Sequence, residues 1–342
     1  MYYNVRLKHA LVLPLANDDE VYMTGTFVLS LDTELAWGTM DKGGFRTYRG
    51  HLERTRQNIE SLLALLGRHN ISATWAFVGH LLLNSCHRET TGADPHPDVL
   101  TARFPWYDHQ WHHHDPGSDR QSDPFWYGDD ILDLVREARP EHEVGCHTFS
   151  HLPMNDPAVS RDIAASQIRK CCDLAASRGL RLESFVYPRN HVAHLDVLEQ
   201  EGFTSYRGPE CSWYGNLPGP MVRAGHFAHR LFGISPPVYK DLQVTSGVVN
   251  IPASMFLMPP DGIRAMIPGR SRTRQAILGL RKSARTGAVF HLWFHPWNIG
   301  TSGAMLDWLD TIFGEVARLR AEGSMRVMTM ASLAEEVLGG TE

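Results

Sequence analysis

The stretch EVGCHTFSH sets His147 and His151 four residues apart, just ahead of Pro153. In an extended strand that spacing separates two side chains by ~13 Å, whereas a helical turn brings them within ~6 Å on one face. Only a turn lets both imidazoles reach one ion. Pro153 biases Leu152 away from helix, so the expected geometry is a single turn at the C-terminal end of the strand HEVGCH. In a chain with 19 histidines this spacing alone reads as well as surface polarity as it does as a metal site. SLDTELAWG adds weight, because period-two alternation puts Ser30, Asp32 and Glu34 on one face. Two carboxylates ending an apolar strand cost solvation unless a cation compensates. Two histidines and one carboxylate, with water in an open position, are the usual ligand set of a hydrolytic zinc site.

A third strand, AVFHLWFHPW, carries His291, Trp293 and His295 on one face and ends at Pro296. His295 falls at the mouth, where an imidazole has a suitable pKa to protonate a leaving group. His291 falls deeper and reads as a core histidine bonded to backbone. In SFVYPRNH, Arg189 and Asn190 follow a strand, placed to orient a carboxylate, to grip a substrate, or to lie in a solvated loop.

The elements that must position these residues alternate regularly. TFVLSLD, the amphipathic HLERTRQNIESLLALLGRHN and ISATWAFVG form a βαβ unit, and similar pairs recur to MRVMTM near the C-terminus. Seven or eight strands alternating with helices predict an α/β fold, a distorted (β/α)7-8 barrel, whose sites lie at the C-terminal ends of its strands. The expected organisation is a single catalytic domain over residues 1–342 with a core barrel at about 25–330. Irregular insertions are expected at about 84–127, rich in Trp and His, and at 208–246.

A chain of 342 residues with 43% hydrophobic content buries a large core. A net charge of −5 without basic blocks argues against nucleic acid as a partner. Five cysteines without CxxC spacing fit neither a disulfide framework nor a cysteine zinc site, which points to a reducing, cytoplasmic setting. ALVLPLA near the start is too short and proline-broken for a secretory signal, and no apolar run reaches the ~18 residues of a membrane span.

LSLDTELAWG, EVGCHTFSH, SFVYPRN and VFHLWFHP, in that order over roughly residues 25 to 300, resemble the successive motifs of the polysaccharide deacetylase family, also called carbohydrate esterase family 4 or the NodB-homology group. The resemblance implies a distorted barrel and metal-assisted removal of acetyl groups from N-acetylated sugars. It implies Asp32 as catalytic base, His147 and His151 as metal ligands and His295 as general acid. The cofactor implied is a divalent metal, Zn2+ foremost, with Co2+, Ni2+, Mn2+ or Fe2+ as substitutes. The pattern departs from the family at two places. Thr33 stands where a metal-binding aspartate commonly follows the base, and the DxE spacing is similar to the variant branch in which the acid two residues on is the ligand, here Glu34. Arg189 follows Pro188 instead of preceding it, which loosens its assignment as the group that tunes the base.

Glu34, nearer the mouth and longer, is expected on the ion, with Asp32 behind it as base. Trp37, Tyr187, Trp111, Trp126 and Trp293, with Asn190, are the expected substrate-binding residues, the aromatic rings as stacking faces for a sugar. The alternatives are opening of a cyclic imide or ureide, as allantoinase-like relatives of the family do, and a noncatalytic glycan-binding barrel.

Overall fold

The computed structural model describes residues 23–40, 45–90, 92–300 and 302–340; the ALVLPLA run lies outside them. Its strands are β1 (Gly25–Thr33), β2 (Thr74–Phe77), β3 (Glu143–Cys146), β4 (Ser184–Val186), β5 (Ser205–Arg207), β6 (Val244–Thr245), β7 (Val248–Asn250), β8 (Met255–Phe256), β9 (Val289–Phe294) and β10 (Met325–Met328). Its helices are α1 (Phe45–His69), α2 (Asp129–Glu137), α3 (Arg161–Ser177), α4 (Leu195–Gln200), α5 (Pro220–Leu231), α6 (Gly269–Thr286), α7 (Ala304–Ala321) and α8 (Met330–Gly339).

The strands join in the order β6-β7-β5-β4-β3-β2-β1-β9-β8, parallel except for the short β6–β7 hairpin, while β10 pairs with the first half of β1. One segment curls this sheet into a distorted barrel. Ile251 and Ala253 donate backbone N–H groups to Tyr206 and Gly208 on the β5 side, and Ser254 and Leu257 donate to His291 and Trp293 of β9. The chain from β7 to β8 is thus one stave that changes partners along its length and bridges the two ends of the sheet.

Period-two alternation sorts the side chains of this barrel into two cores. Phe27, Leu29 and Leu31 of β1 and Phe290, Leu292 and Phe294 of β9 point outward into the layer beneath the helices. There α1 contributes Leu52, Ile59, Leu62 and Leu66, spaced along one helical face. Val28, Ala76, Val186, Val249, Ile251 and Val289 fill the interior, and Met330, Leu333 and Ala334 of α8 plug its lower end. Thr329 caps α8 by accepting the Ser332 N–H. With the bottom closed by apolar groups, the polar inward residues are left at the C-terminal mouth.

The 208–246 region, expected to be irregular, contains α5. Pro220 starts this helix with no N–H to lose, and Arg230 anchors its last turn through Glu210 and Gln275. No helix among the described residues is long and apolar enough to cross a membrane, and all five cysteines are free thiols.

Candidate active site and metal centre

Register fixes the floor of the mouth. Ser30 pairs with Trp293 and Leu31 with Phe294, so β1 delivers Asp32 and Glu34 beside His295 as both strands end. β3 ends at Cys146, and the turn that follows folds His147 and His151 to ring centroids 5.0 Å apart. Several residues here adopt positive φ without being glycine: Leu35 after β1, Thr148 and His151 after β3, Arg189 after β4. Each such conformation costs about 1–3 kcal/mol and persists only where its surroundings hold it, which is common at functional sites.

Glu34 is the centre of the arrangement. Its Oε1 lies 3.1 Å from His151 Nε2, 3.2 Å from His147 Nε2 and 3.3 Å from His295 Nε2, while Oε2 accepts the Trp297 indole N–H at 3.3 Å. His147 Nδ1 lies 2.7 Å from the Val186 carbonyl, which can only accept, so Nδ1 carries the hydrogen and Nε2 turns a lone pair toward the carboxylate. A lone pair and a carboxylate oxygen facing each other at 3.2 Å in a buried site call for positive charge between them. The residues therefore fit a divalent cation, and the second hydrogen bond of His147 is the kind that orients a ligand imidazole. Burial would raise the Glu34 pKa, but the surrounding His295, His151 and His147 hold it well below the usual carboxylate range.

Asp32 has a different partner. Arg207 Nη1 and Nη2 donate to its two oxygens at 2.6 and 2.7 Å, a bidentate clamp at a fully buried guanidinium. Arg207 also donates to Ser30 Oγ and Asn190 Oδ1 and lies over the Trp293 ring at 4.0 Å. Beneath it, His291 reaches Ser30 Oγ at 2.9 Å and the Ile251 carbonyl at 3.1 Å. Burial, with Arg207 adding to it, pushes the His291 pKa down to about 3, so it is a neutral support. Burial works to raise the Asp32 pKa as well, but the Arg207 clamp overcomes it and keeps the carboxyl below its usual value.

His295 is oriented by Asn298. The Asn298 Oδ1 lies 3.4 Å from the His295 backbone N–H and 2.8 Å from Nδ1, which identifies that atom as the acceptor and puts the hydrogen on Nδ1. Nε2 then faces the cleft, 3.9 Å from Asp32 Oδ2.

The cleft encloses about 230 Å³ and is lined by Asp32, Glu34, His151, Arg189, Asn190, Trp293 and His295. Larger hollows lie elsewhere, such as one of about 600 Å³ beside α3, but it is walled by surface charges such as the Lys170–Asp98 pair.

Several expectations need correction. The arginine bonded to Asp32 is Arg207, whereas Arg189 lies at the rim of the cleft, 4.9 Å over the Trp106 ring. Of the expected stacking faces, Trp293 reaches the cleft, with Arg207 already on its ring. Trp37, Trp111, Trp126 and Tyr187 are buried packing residues. The indole N–H groups of Trp37 and Trp111 go to the Trp126 and Ser150 carbonyls, and the Tyr187 hydroxyl goes to Ala193. Tyr187 falls on the outward face of its strand, one residue after the inward Val186. Asn190 lines the cleft but spends its carbonyl oxygen on Arg207. Arg207, Trp297 and Asn298 were not singled out from the sequence. Arg207 was accessible to the alternation used for β1, since SYR puts Ser205 and Arg207 on one face.

Gly38 makes room for the Glu34 carboxylate. A Cβ there would lie 1.8 Å from Glu34 Oε2 and 2.8 Å from Glu34 Cβ, so the whole Glu34 side chain must shift. Gly38→Ala is expected to weaken cation binding by roughly 10–100-fold, the scale for disturbing a ligand's surroundings, which a metal titration checks.

No family description matches this chain, and no curated protein matches it in sequence. Among solved structures it is similar to a Mycobacterium smegmatis protein provisionally described as a polysaccharide deacetylase. The two are 14% identical, with 96% of this chain and 95% of that chain covered and a TM-score of 0.61. It is also similar to Puue allantoinase, 12% identical over 91% of this chain and 89% of that one, at a TM-score of 0.54. The 4-alpha-glucanotransferase of Thermococcus litoralis matches at 0.50 with 14% identity over 91% of this chain and 40% of its own. The fold is the distorted barrel of the polysaccharide deacetylase type, so the likeness seen in the motifs extends to the architecture. Proteins of different names share it, and the chemistry has to be argued from the site.

Proposed function

We propose that this protein is a metal-dependent deacetylase of the polysaccharide deacetylase family, hydrolysing the N-acetyl group of an amino sugar or sugar conjugate. The observation that carries the reading is the convergence of three imidazole Nε2 atoms on Glu34 Oε1 beside an aspartate clamped by a buried arginine. Glu34, His147 and His151 would hold the cation, a ligand set suited to Zn2+, with Co2+, Ni2+, Mn2+ or Fe2+ as substitutes. When bound, the cation supplies Lewis-acid charge for the amide carbonyl and lowers the pKa of water.

The chain's own residues supply the rest. Asp32, kept ionised by Arg207, accepts a proton from the attacking water as its oxygen joins the acetyl carbon. His295, with Nδ1–H held by Asn298, carries its mobile proton on Nε2 and delivers it to the amine as the carbon–nitrogen bond breaks. Acetate and a free amine result. Arg189 and Trp106 at the rim are placed to meet the rest of the substrate. The free thiols support a reducing, cytoplasmic setting.

At about 230 Å³ the cleft is smaller than the ~300–1,000 Å³ of sites for drug-sized ligands, which favours a terminal sugar or small conjugate over an internal unit of a polymer. The same size, with the allantoinase likeness, favours ureide opening as the second reading. A panel of N-acetylamino sugars, O-acetyl sugars and cyclic ureides, assayed for acetate and for ring-opened product, separates them. Acetate from the N-acetyl substrates is expected. Turnover of ureides alone selects the second reading, and no turnover by metal-loaded protein leaves a binding protein.

A further inference from the structure

The insertion between β2 and α2 folds around a second group of metal-ligating side chains. His80 comes from the turn after β2 (Gly79–Leu82), and Cys86, His96 and Asp115 come from the insertion itself; one ligand atom from each lies within 4.8 Å of the others. His80, His96 and Asp115 are buried and Cys86 is half-buried. Asp115 is the hub: Oδ2 stands 2.7 Å from His96 Nε2 and 3.0 Å from His80 Nε2, and Oδ1 stands 3.4 Å from Cys86 Sγ. Tetrahedral bonds of ~2.0 Å to nitrogen and oxygen and ~2.3 Å to sulfur set ligand atoms ~3.3–3.6 Å apart. The Cys86 distance matches that spacing, and the two histidine distances are shorter than it, so the rings would move outward by a few tenths of an ångström to admit an ion.

Hydrogen bonding alone leaves the cluster unsatisfied. His80 Nδ1 lies 3.0 Å from the Trp126 carbonyl, an acceptor only, so the hydrogen is on Nδ1 and Nε2 of the neutral ring is a lone pair. That buried Nε2 has no hydrogen-bond partner, although it faces a carboxylate oxygen at 3.0 Å. A metal cation resolves the conflict at both atoms.

We infer that His80, Cys86, His96 and Asp115 form a closed four-ligand structural site for a transition-metal ion of the zinc class. Imidazole and thiolate ligands select such ions over magnesium or calcium, and four protein ligands leave no open position for chemistry. Binding displaces the Cys86 proton, and His80 already makes the outer hydrogen bond that orients a ligand imidazole. The ion pins the insertion against both turns that serve the cleft. Trp37, three residues after Glu34, packs on His80 at 4.6 Å, and Phe149, between His147 and His151, packs on His80 and His96 at 5.7 and 4.9 Å.

The test uses the full chain, stripped with chelator and titrated with Co2+, read by metal analysis and near-ultraviolet absorption. The wild type is expected to show thiolate-to-cobalt charge transfer that Cys86→Ser and His96→Ala both abolish. His151→Ala, which disturbs only the cleft, is expected to keep it. One cobalt per chain with this band supports the structural site and counts against the cleft metal; two cobalt with the band support both. Absence of the band in the wild type, or its persistence in both Cys86→Ser and His96→Ala, overturns the inference, and the wild-type spectrum decides even if a variant fails to fold.

Discussion

Arg207→Met is expected to lower turnover by roughly 100-fold or more and to destabilise the fold by ~3–5 kcal/mol, the scale for leaving one member of a buried ion pair uncompensated. The guanidinium makes both hydrogen bonds to Asp32 in a place with no exposed surface. Without it, burial is opposed only by the nearby His147 and His295, so the Asp32 carboxyl shifts toward the protonated form and becomes a poorer proton acceptor. Arg189→Met leaves that pair intact, so it is expected to raise KM and to lower the unfolding midpoint less than Arg207→Met does. Urea unfolding and steady-state kinetics on the two variants distinguish these roles. Equal losses in both, or a larger one in Arg189→Met, would return the tuning position to Arg189.

Glu34 and Asp32 are expected to fail in different ways. Glu34→Gln removes the charge on which His147, His151 and His295 converge, so it is expected to lose both the cleft cation and activity. Asp32→Asn is expected to keep the cation and lose turnover by about 10²–10⁴-fold, the range for a general base. It also leaves Arg207 facing a neutral amide, so both variants should be compared at a temperature where each is folded. Metal content beside turnover is the readout, and the reverse pattern would exchange the two roles.

Much of this site was legible because its residues sit at strand ends where spacing translates into direction. DxE on β1, HxxxH after β3 and His295 after β9 each follow from a period of two or from the turn expected where Pro153 biases Leu152 away from helix. The barrel was legible for the same reason, since repeated strand–helix pairs admit few architectures. What remained hidden depends on contacts between distant segments. Arg207 is 175 residues from Asp32, and nothing near it in sequence names its partner. Trp37, Trp111, Trp126 and Tyr187 look alike in sequence whether a ring faces a cleft or fills a core, and only packing reveals that they are covered. The cysteine spacing gave no sign of a metal site because Cys86 meets His80, His96 and Asp115 through the fold of the insertion, outside any short motif.

In the proposed reaction a cation held by Glu34, His147 and His151 is needed to release acetate. Acetate release from an N-acetylamino sugar, followed on protein stripped of metal and again after Zn2+ or Co2+ is restored, tests it most directly. No acetate is expected from the stripped protein, with recovery on metal addition in the wild type and none in His147→Ala. Full acetate release from protein shown to contain no metal would contradict it.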